Sequence, residues 1–114
     1  MGSSFSTSDE HEPPGLKPVR VPIRKESVFE EARNLAGELP GWRVESADER
    51  ALVLVCVRAG SFLAPASKVT IRVEGPDGLP SATVHCTSES SGGPFARDRR
   101  NVQEFMAPFH RRVC

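Results

Sequence analysis

The strongest constraint on this chain is an alternation that runs along Lys68 to Glu74, KVTIRVE, turns at Gly75-Pro76-Asp77-Gly78, and resumes along Ser81 to Ser88, SATVHCTS. Val69, Ile71 and Val73 fall on one face and Lys68, Thr70, Arg72 and Glu74 on the other, the period of a half-buried strand. Past the turn, Ala82, Val84 and Cys86 repeat the pattern, so the two runs predict an antiparallel hairpin. After a small-residue loop, ESSGGP, comes FARDRRNVQEFMAPFHRR, in which Val102, Phe105, Met106, Phe109 and Val113 recur at helical offsets. Gly93 is the expected cap and Pro94 suits the first helical position, while Pro108 is expected to kink or interrupt the helix near its end. A hairpin followed by a long amphipathic helix demands a helix-on-sheet core.

The upstream sequence supplies what such a core needs. Ser27-x-x-Glu30 reads as a capping box opening a helix whose apolar face is Val28, Ala32, Leu35, Ala36 and Leu39, ended by Pro40-Gly41. Trp42 and Val44 then alternate with Arg43 and Glu45. ALVLVCVR, from Ala51 to Arg58, is apolar at nearly every position and predicts a central strand covered on both faces. Leu16 to Arg24 alternates but contains two prolines, so it reads as an edge strand or an extended arm. Residues 1–15 are rich in Ser, acidic side chains and Pro, and are expected to form a disordered tail before a single domain at 16–114. The fold class is α+β: a twisted, mainly antiparallel four- or five-stranded sheet with an N-terminal and a long C-terminal helix packed on one face.

Charge and chemistry restrict function. Fifteen basic and fifteen acidic side chains cancel to a formal net charge of zero, which removes the electrostatic basis for general nucleic-acid binding. No apolar run reaches the roughly 20 residues of a membrane-spanning helix. Cys56, Cys86 and Cys114 form an odd set without zinc spacing, and no apolar leader opens the sequence, so a reduced, cytoplasmic setting is expected, with Cys56 and Cys86 as small core residues. His85 and Cys86 are adjacent on a strand, face opposite ways, and cannot form a proton-transfer pair. Asp48, Glu49, Asp77 and Asp98 sit in turns or at a helix start, where polarity and capping account for them. The residues therefore indicate no catalytic group, metal or cofactor, and the chain leans away from being an enzyme.

Two places remain for function. Ser88, Ser90, Ser91, Gly92 and Gly93, together with Arg97 at the start of the last helix, form a candidate ligand-binding loop for an anion, although the Gly-Lys-Ser/Thr ending of a P-loop is absent. Phe62 and Leu63 in the GSFLAP loop and the outward row Thr83, His85 and Thr87 are candidate surface contacts. The expected function is a non-catalytic binding or protein-interaction module, with a protein partner or a homo-oligomer. The alternative is a small apolar-ligand carrier or enzyme of helix-grip type, and the third reading is anion or phosphate binding at the Ser/Gly loop.

From Val28 onward the sequence also resembles a bacterial family of small domains of unknown function, number fourteen ninety-nine. The likeness rests on the helix followed by Gly41-Trp42-Arg43-Val44, on Val69, Ile71, Arg72 and Val73, on Ser88-x-Ser90, and on the closing helix with Phe105. Roughly residues 28–109 are covered. Family members carry two acidic residues before the V-x-I-R-V strand, where this chain has Ser67-Lys68. They also carry Ser-x-Ser-Arg-x-Gly before an Asp-x-Gly-x-Asn helix start, where this chain has Ser91 and Phe95-Ala96-Arg97-Asp98. The resemblance implies a fold and no reaction.

Overall fold

A computed structural model describes residues 3–11, 16–60, 66–90 and 95–113. Six strands and two helices follow one another as β1 (Ser3–Ser6), β2 (Val19–Val21), α1 (Lys25–Glu38), β3 (Trp42–Asp48), β4 (Val53–Arg58), β5 (Ser67–Glu74), β6 (Ala82–Ser90) and α2 (Phe95–Val113). The sheet is antiparallel throughout, in the order β3, β4, β5, β6. The far edge of β6 is shared by two short strands in line, with β1 opposite residues 87–90 and β2 opposite residues 82–84. The expected hairpin is the β5–β6 pair, in register from Ser67↔Ser90 to Glu74↔Thr83.

One apolar layer joins the helices to the sheet. Val28, Phe29, Ala32, Leu35 and Ala36 of α1 and Val102, Phe105, Met106 and Phe109 of α2 bury against Leu54 and Cys56, Val69, Ile71 and Val73, and Ala82, Val84 and Cys86. Phe105 stacks between Trp42 and Phe109, at ring distances of 5.8 and 5.3 Å. Burying an aromatic side chain is among the largest single apolar contributions a domain of this size makes. Glu104 fixes the helix laterally, accepting from Trp42 Nε1 and from Arg58 Nε, the latter at 2.7 Å. Gly41 leaves room for that guanidinium: its φ is 80°, and a Cβ there would collide with Arg58.

Four sequence expectations are corrected. The helix α1 starts at Lys25 with Arg24 at its cap and no side-chain capping bond, so Ser27 lies within the first turn and makes no capping box. β4 is buried on one face only: Leu54 and Cys56 point into the core, whereas Val53, Val55 and Val57 are half-buried on the other face. Since one apolar layer holds both helices, these valines are covered in part by their strand neighbours, for example Val55 between Ser46 and Thr70. The helix α2 continues through Pro108 to Val113 without interruption. The run from Leu16 to Arg24 holds the expected edge strand, at Val19–Val21.

The fourth correction concerns the N-terminal segment. Residues 3–6, part of the expected tail, form β1 and raise the strand count to six. Composition misled because β1 is held by backbone pairing and polar clips that need little apolar surface. Thr7 N donates to Cys86 O at 2.9 Å while Cys86 N donates back to Thr7 Oγ1 at 3.1 Å, Arg20 grips Asp9 with two hydrogen bonds, and Phe5 stacks on His11.

Candidate functional site

The inward row of β6 changes character along its length. Ala82, Val84 and Cys86 are apolar, and the same face then continues with Ser88 and Ser90, 0% and 5% exposed. α2 changes in step: one turn before Val102 and Phe105, the residues on its buried face are Asp98 and Asn101, 0% and 4% exposed. Ser67, at the start of β5 and opposite Ser90, is buried with them. A polar corner thus closes one end of the apolar layer.

Its hydrogen bonds have a direction. Ser88 Oγ and Ser90 Oγ both donate to Asp98 Oδ1, at 2.8 and 2.6 Å. Asn101 Nδ2 donates to Ser88 Oγ at 3.1 Å, and Ser67 and Ser90 hydroxyls lie 2.7 Å apart. A hydroxyl carries one proton. Ser90 spends its proton on Asp98, so Ser67 must donate to Ser90. Two donor chains, Asn101 to Ser88 and Ser67 to Ser90, therefore converge on one carboxylate oxygen and hold Asp98 in place.

The residue before Asp98 on the helix, Arg97, carries an unsatisfied cation. Both terminal nitrogens of Arg97, Nη1 and Nη2, are buried and reach no hydrogen-bond acceptor among the described residues. A guanidinium cannot shed its proton to escape the penalty, so it remains a charge with donors and no partner. Leaving such groups unpaired in a dry environment costs several kcal/mol in general, and native proteins seldom do so without a purpose. Arg99 and Arg100 are exposed on the same turns and add positive potential at the entrance to this end of the helix.

The expected site residues are distributed as follows. Ser88, Ser90 and Arg97 belong to this corner, whereas Ser91, Gly92 and Gly93 lie outside the described residues, as do Pro94, Phe62 and Leu63. Thr83, His85 and Thr87 do share the outward face of β6, half-buried, with His85 Nε2 3.5 Å from Glu74 Oε2 and Thr87 Oγ1 2.9 Å from Ser6 Oγ. Asp98, Asn101 and Ser67 were not anticipated, and Asp98 is corrected from a capping carboxylate to a buried hub. A signal was present: Ser88 and Ser90 continue the inward parity of Val84 and Cys86, and Asp98 and Asn101 precede Val102 and Phe105 by four residues each.

Other features offer less. Cys56 and Cys86 are fully buried; burial pushes the Cys56 thiol up to about 12, and burial and then Cys56 push Cys86 up as well, so neither is a nucleophile near neutral pH. An open cleft of about 500 Å³ lies between the C-terminal end of α2 and α1, where Arg112 already bonds Glu38 at 2.7 Å and approaches Glu31 at 3.8 Å. Its other cation, Arg33, is paired with Glu49 at 2.9 Å. Among the described residues, no helix is long and apolar enough to cross a membrane.

The arrangement of an antiparallel sheet with a long C-terminal helix packed on it is shared with a solved structure. A crystal structure of Ara h 8.0201 superposes with a TM-score of 0.60 over 99% of this chain and 98% of that one, at 11% sequence identity. At that identity the likeness is one of fold. No family model matches the chain. No curated protein matches it by sequence.

Proposed function

We propose that the protein is a non-catalytic binding module that takes an anionic ligand at the polar corner, where β5, β6 and the first turns of α2 meet. The observation that carries this reading is the Arg97 guanidinium, buried at both terminal nitrogens with no acceptor among the described residues. An acceptor from outside would relieve that deficit, and charge-assisted bonds to arginine are among the strongest polar contacts available. The corner is also rigid, since Asp98, Ser88, Ser90, Ser67 and Asn101 lock one another. Rigidity lowers the ordering cost of binding. The Ser88-x-Ser90 pair, one basis of the resemblance to family fourteen ninety-nine, falls within the same corner.

The carrier alternative draws its support from the fold. A carrier would need space between α2 and the sheet; in this chain Val102, Phe105, Met106 and Phe109, all 0% exposed, occupy that layer. Support therefore lies with the corner. A cytoplasmic setting suits the two free, buried thiols.

The test is thermal unfolding of the full chain with acetate, phosphate and sulfate at matched ionic strength. The midpoint should rise with concentration of at least one anion, and Arg97→Met, which keeps the stem and removes the charge, should abolish the rise. Equal shifts in both proteins would remove the reading.

A further inference from the structure

We infer that the free edge of β3 is a self-pairing surface, on which two copies of this chain join their sheets antiparallel about a two-fold axis between Glu45 and Ser46. The edge is separate from the polar corner, which is built on β5, β6 and α2, so the inference stands apart from the anion-binding reading. β4 takes one side of β3, and among the described residues no strand takes the other. Across the sheet, by contrast, the far edge of β6 is covered by β1 and β2. A strand with an unpaired row of backbone donors and acceptors is a template for another strand.

Bulges and charged side chains are the usual guards of such an edge, and β3 has both. Here they fit a second copy. The register of β3 on β4 shifts between Val44 and Ser46, which leaves Glu45 as the extra residue of a bulge. From Arg43 to Asp48 the side chains run exposed, half-buried, exposed, exposed, half-buried, exposed, a pattern that is the same in both directions. Antiparallel partners must share a face of the sheet, and without the bulge this stretch, reversed against itself, would set each outward residue opposite an inward one. With Glu45 opposite Ser46 of the second copy, Val44 meets Ala47 on the core side and Arg43 meets Asp48 on the open side, each twice by symmetry. Val44 and Ala47 already pack in part against the core, so the pairing continues the apolar layer from one copy into the next. Sliding one copy by a single residue sets Val44 against Asp48 or Arg43 against Ala47, and the faces no longer match.

The charges agree with the faces. Arg43 is exposed and makes no hydrogen bond or ion pair among the described residues. Asp48 is held at the strand end, its Oδ1 accepting from the amides of Arg50 and Ala51 at 3.0 Å each. Facing opposite charges favour a strand pair and facing like charges oppose it; in this register Arg43 faces Asp48, and Glu45 faces a serine. A contact confined to one strand edge belongs to the small, reversible class of interface, below roughly 1,200 Å².

Sedimentation equilibrium of the full chain, with a reductant present so that no disulfide links the copies, tests this up to about 1 mM protein. The wild-type chain should pass reversibly from monomer to dimer as concentration rises. Arg43→Glu should weaken the dimer by about tenfold or more, because both cross-strand attractions become repulsions, and Arg43→Lys should keep it. Asp48→Lys should weaken it as well. An equimolar mixture of the Arg43→Glu and Asp48→Lys chains should then dimerise again, since the new carboxylate of one faces the new ammonium of the other while the remaining Arg43 faces the remaining Asp48. A wild-type chain that stays monomeric throughout would overturn the inference and leave the edge to a strand of another protein. A dimer indifferent to Arg43→Glu would overturn it by placing the contact elsewhere, and a mixture of folded variants that stays monomeric would overturn the register. Thermal unfolding shows whether Asp48→Lys, which strips the amides of Arg50 and Ala51 of their acceptor, still folds; if it does not, Arg43→Glu against Arg43→Lys decides alone.

Discussion

β6 and α2 meet twice, once as an apolar contact and once as a polar one. In the first half, Phe105, Met106 and Phe109 lie on Val84 and Cys86 and their sheet neighbours, and every one of these side chains is fully buried. In the second half, Asp98 and Asn101 lie on Ser88 and Ser90, buried nearly as well. The backbone periods are the same, and only the side chains differ. Burial of apolar surface is favourable by itself, whereas a buried polar network at best offsets its own desolvation. The apolar half therefore explains why the chain folds, and the polar half calls for another explanation, which the unpaired Arg97 supplies.

The largest effect that tests this contrast lies in the apolar half. Phe105→Ala should cost about 3–5 kcal/mol, since it removes an aromatic ring held between Trp42 and Phe109 and leaves a cavity at the centre of the layer. Urea denaturation gives the number. A loss below about 1 kcal/mol would mean that α2 is not the keystone of the core, and the contrast between the halves would fail.

Asp98→Ala in the polar half should cost less, about 2–3 kcal/mol, the usual range for stranding hydroxyls that had bonded a charged acceptor. A larger loss than that of Phe105→Ala would break the comparison from the other side, by making the network the main source of stability. Replacing Ser67, Ser88, Ser90, Asp98 and Asn101 together by apolar side chains of similar volume should cost less than Asp98→Ala alone, because the hydroxyls and the amide leave together with their acceptor.

The legibility of these two halves in the sequence was unequal for a physical reason. Strand and helix periods are carried by apolar side chains, so the β5–β6 hairpin and the buried face of α2 could be read from Val69, Ile71, Val73, Val84, Phe105 and Phe109. Ser88, Ser90, Asp98 and Asn101 hold the same positions in those periods, yet polar residues are ordinarily read as solvent-facing, and only the meeting of β6 with α2 in space makes them buried. Ser90 and Asp98 are eight residues apart, with a loop between them. β1 escaped for a related reason: its partners are backbone groups of β6, which leave no trace in side-chain pattern. At Ser27 the fault was of the opposite kind, a local motif that fitted its template while the helix began two residues earlier.

The smallest effect is the most discriminating one. Arg97→Met should raise the stability of the ligand-free protein by about 1 kcal/mol, or about 4 °C in the unfolding midpoint, because it removes a buried charge with no partner and keeps the apolar stem in place. The same substitution should abolish anion binding. Opposite signs for stability and binding in one variant are the signature of a group kept for a ligand at the expense of the fold. If Arg97→Met instead destabilised the protein by a comparable amount, the guanidinium would be serving the structure, and the polar corner would become a second, costlier core.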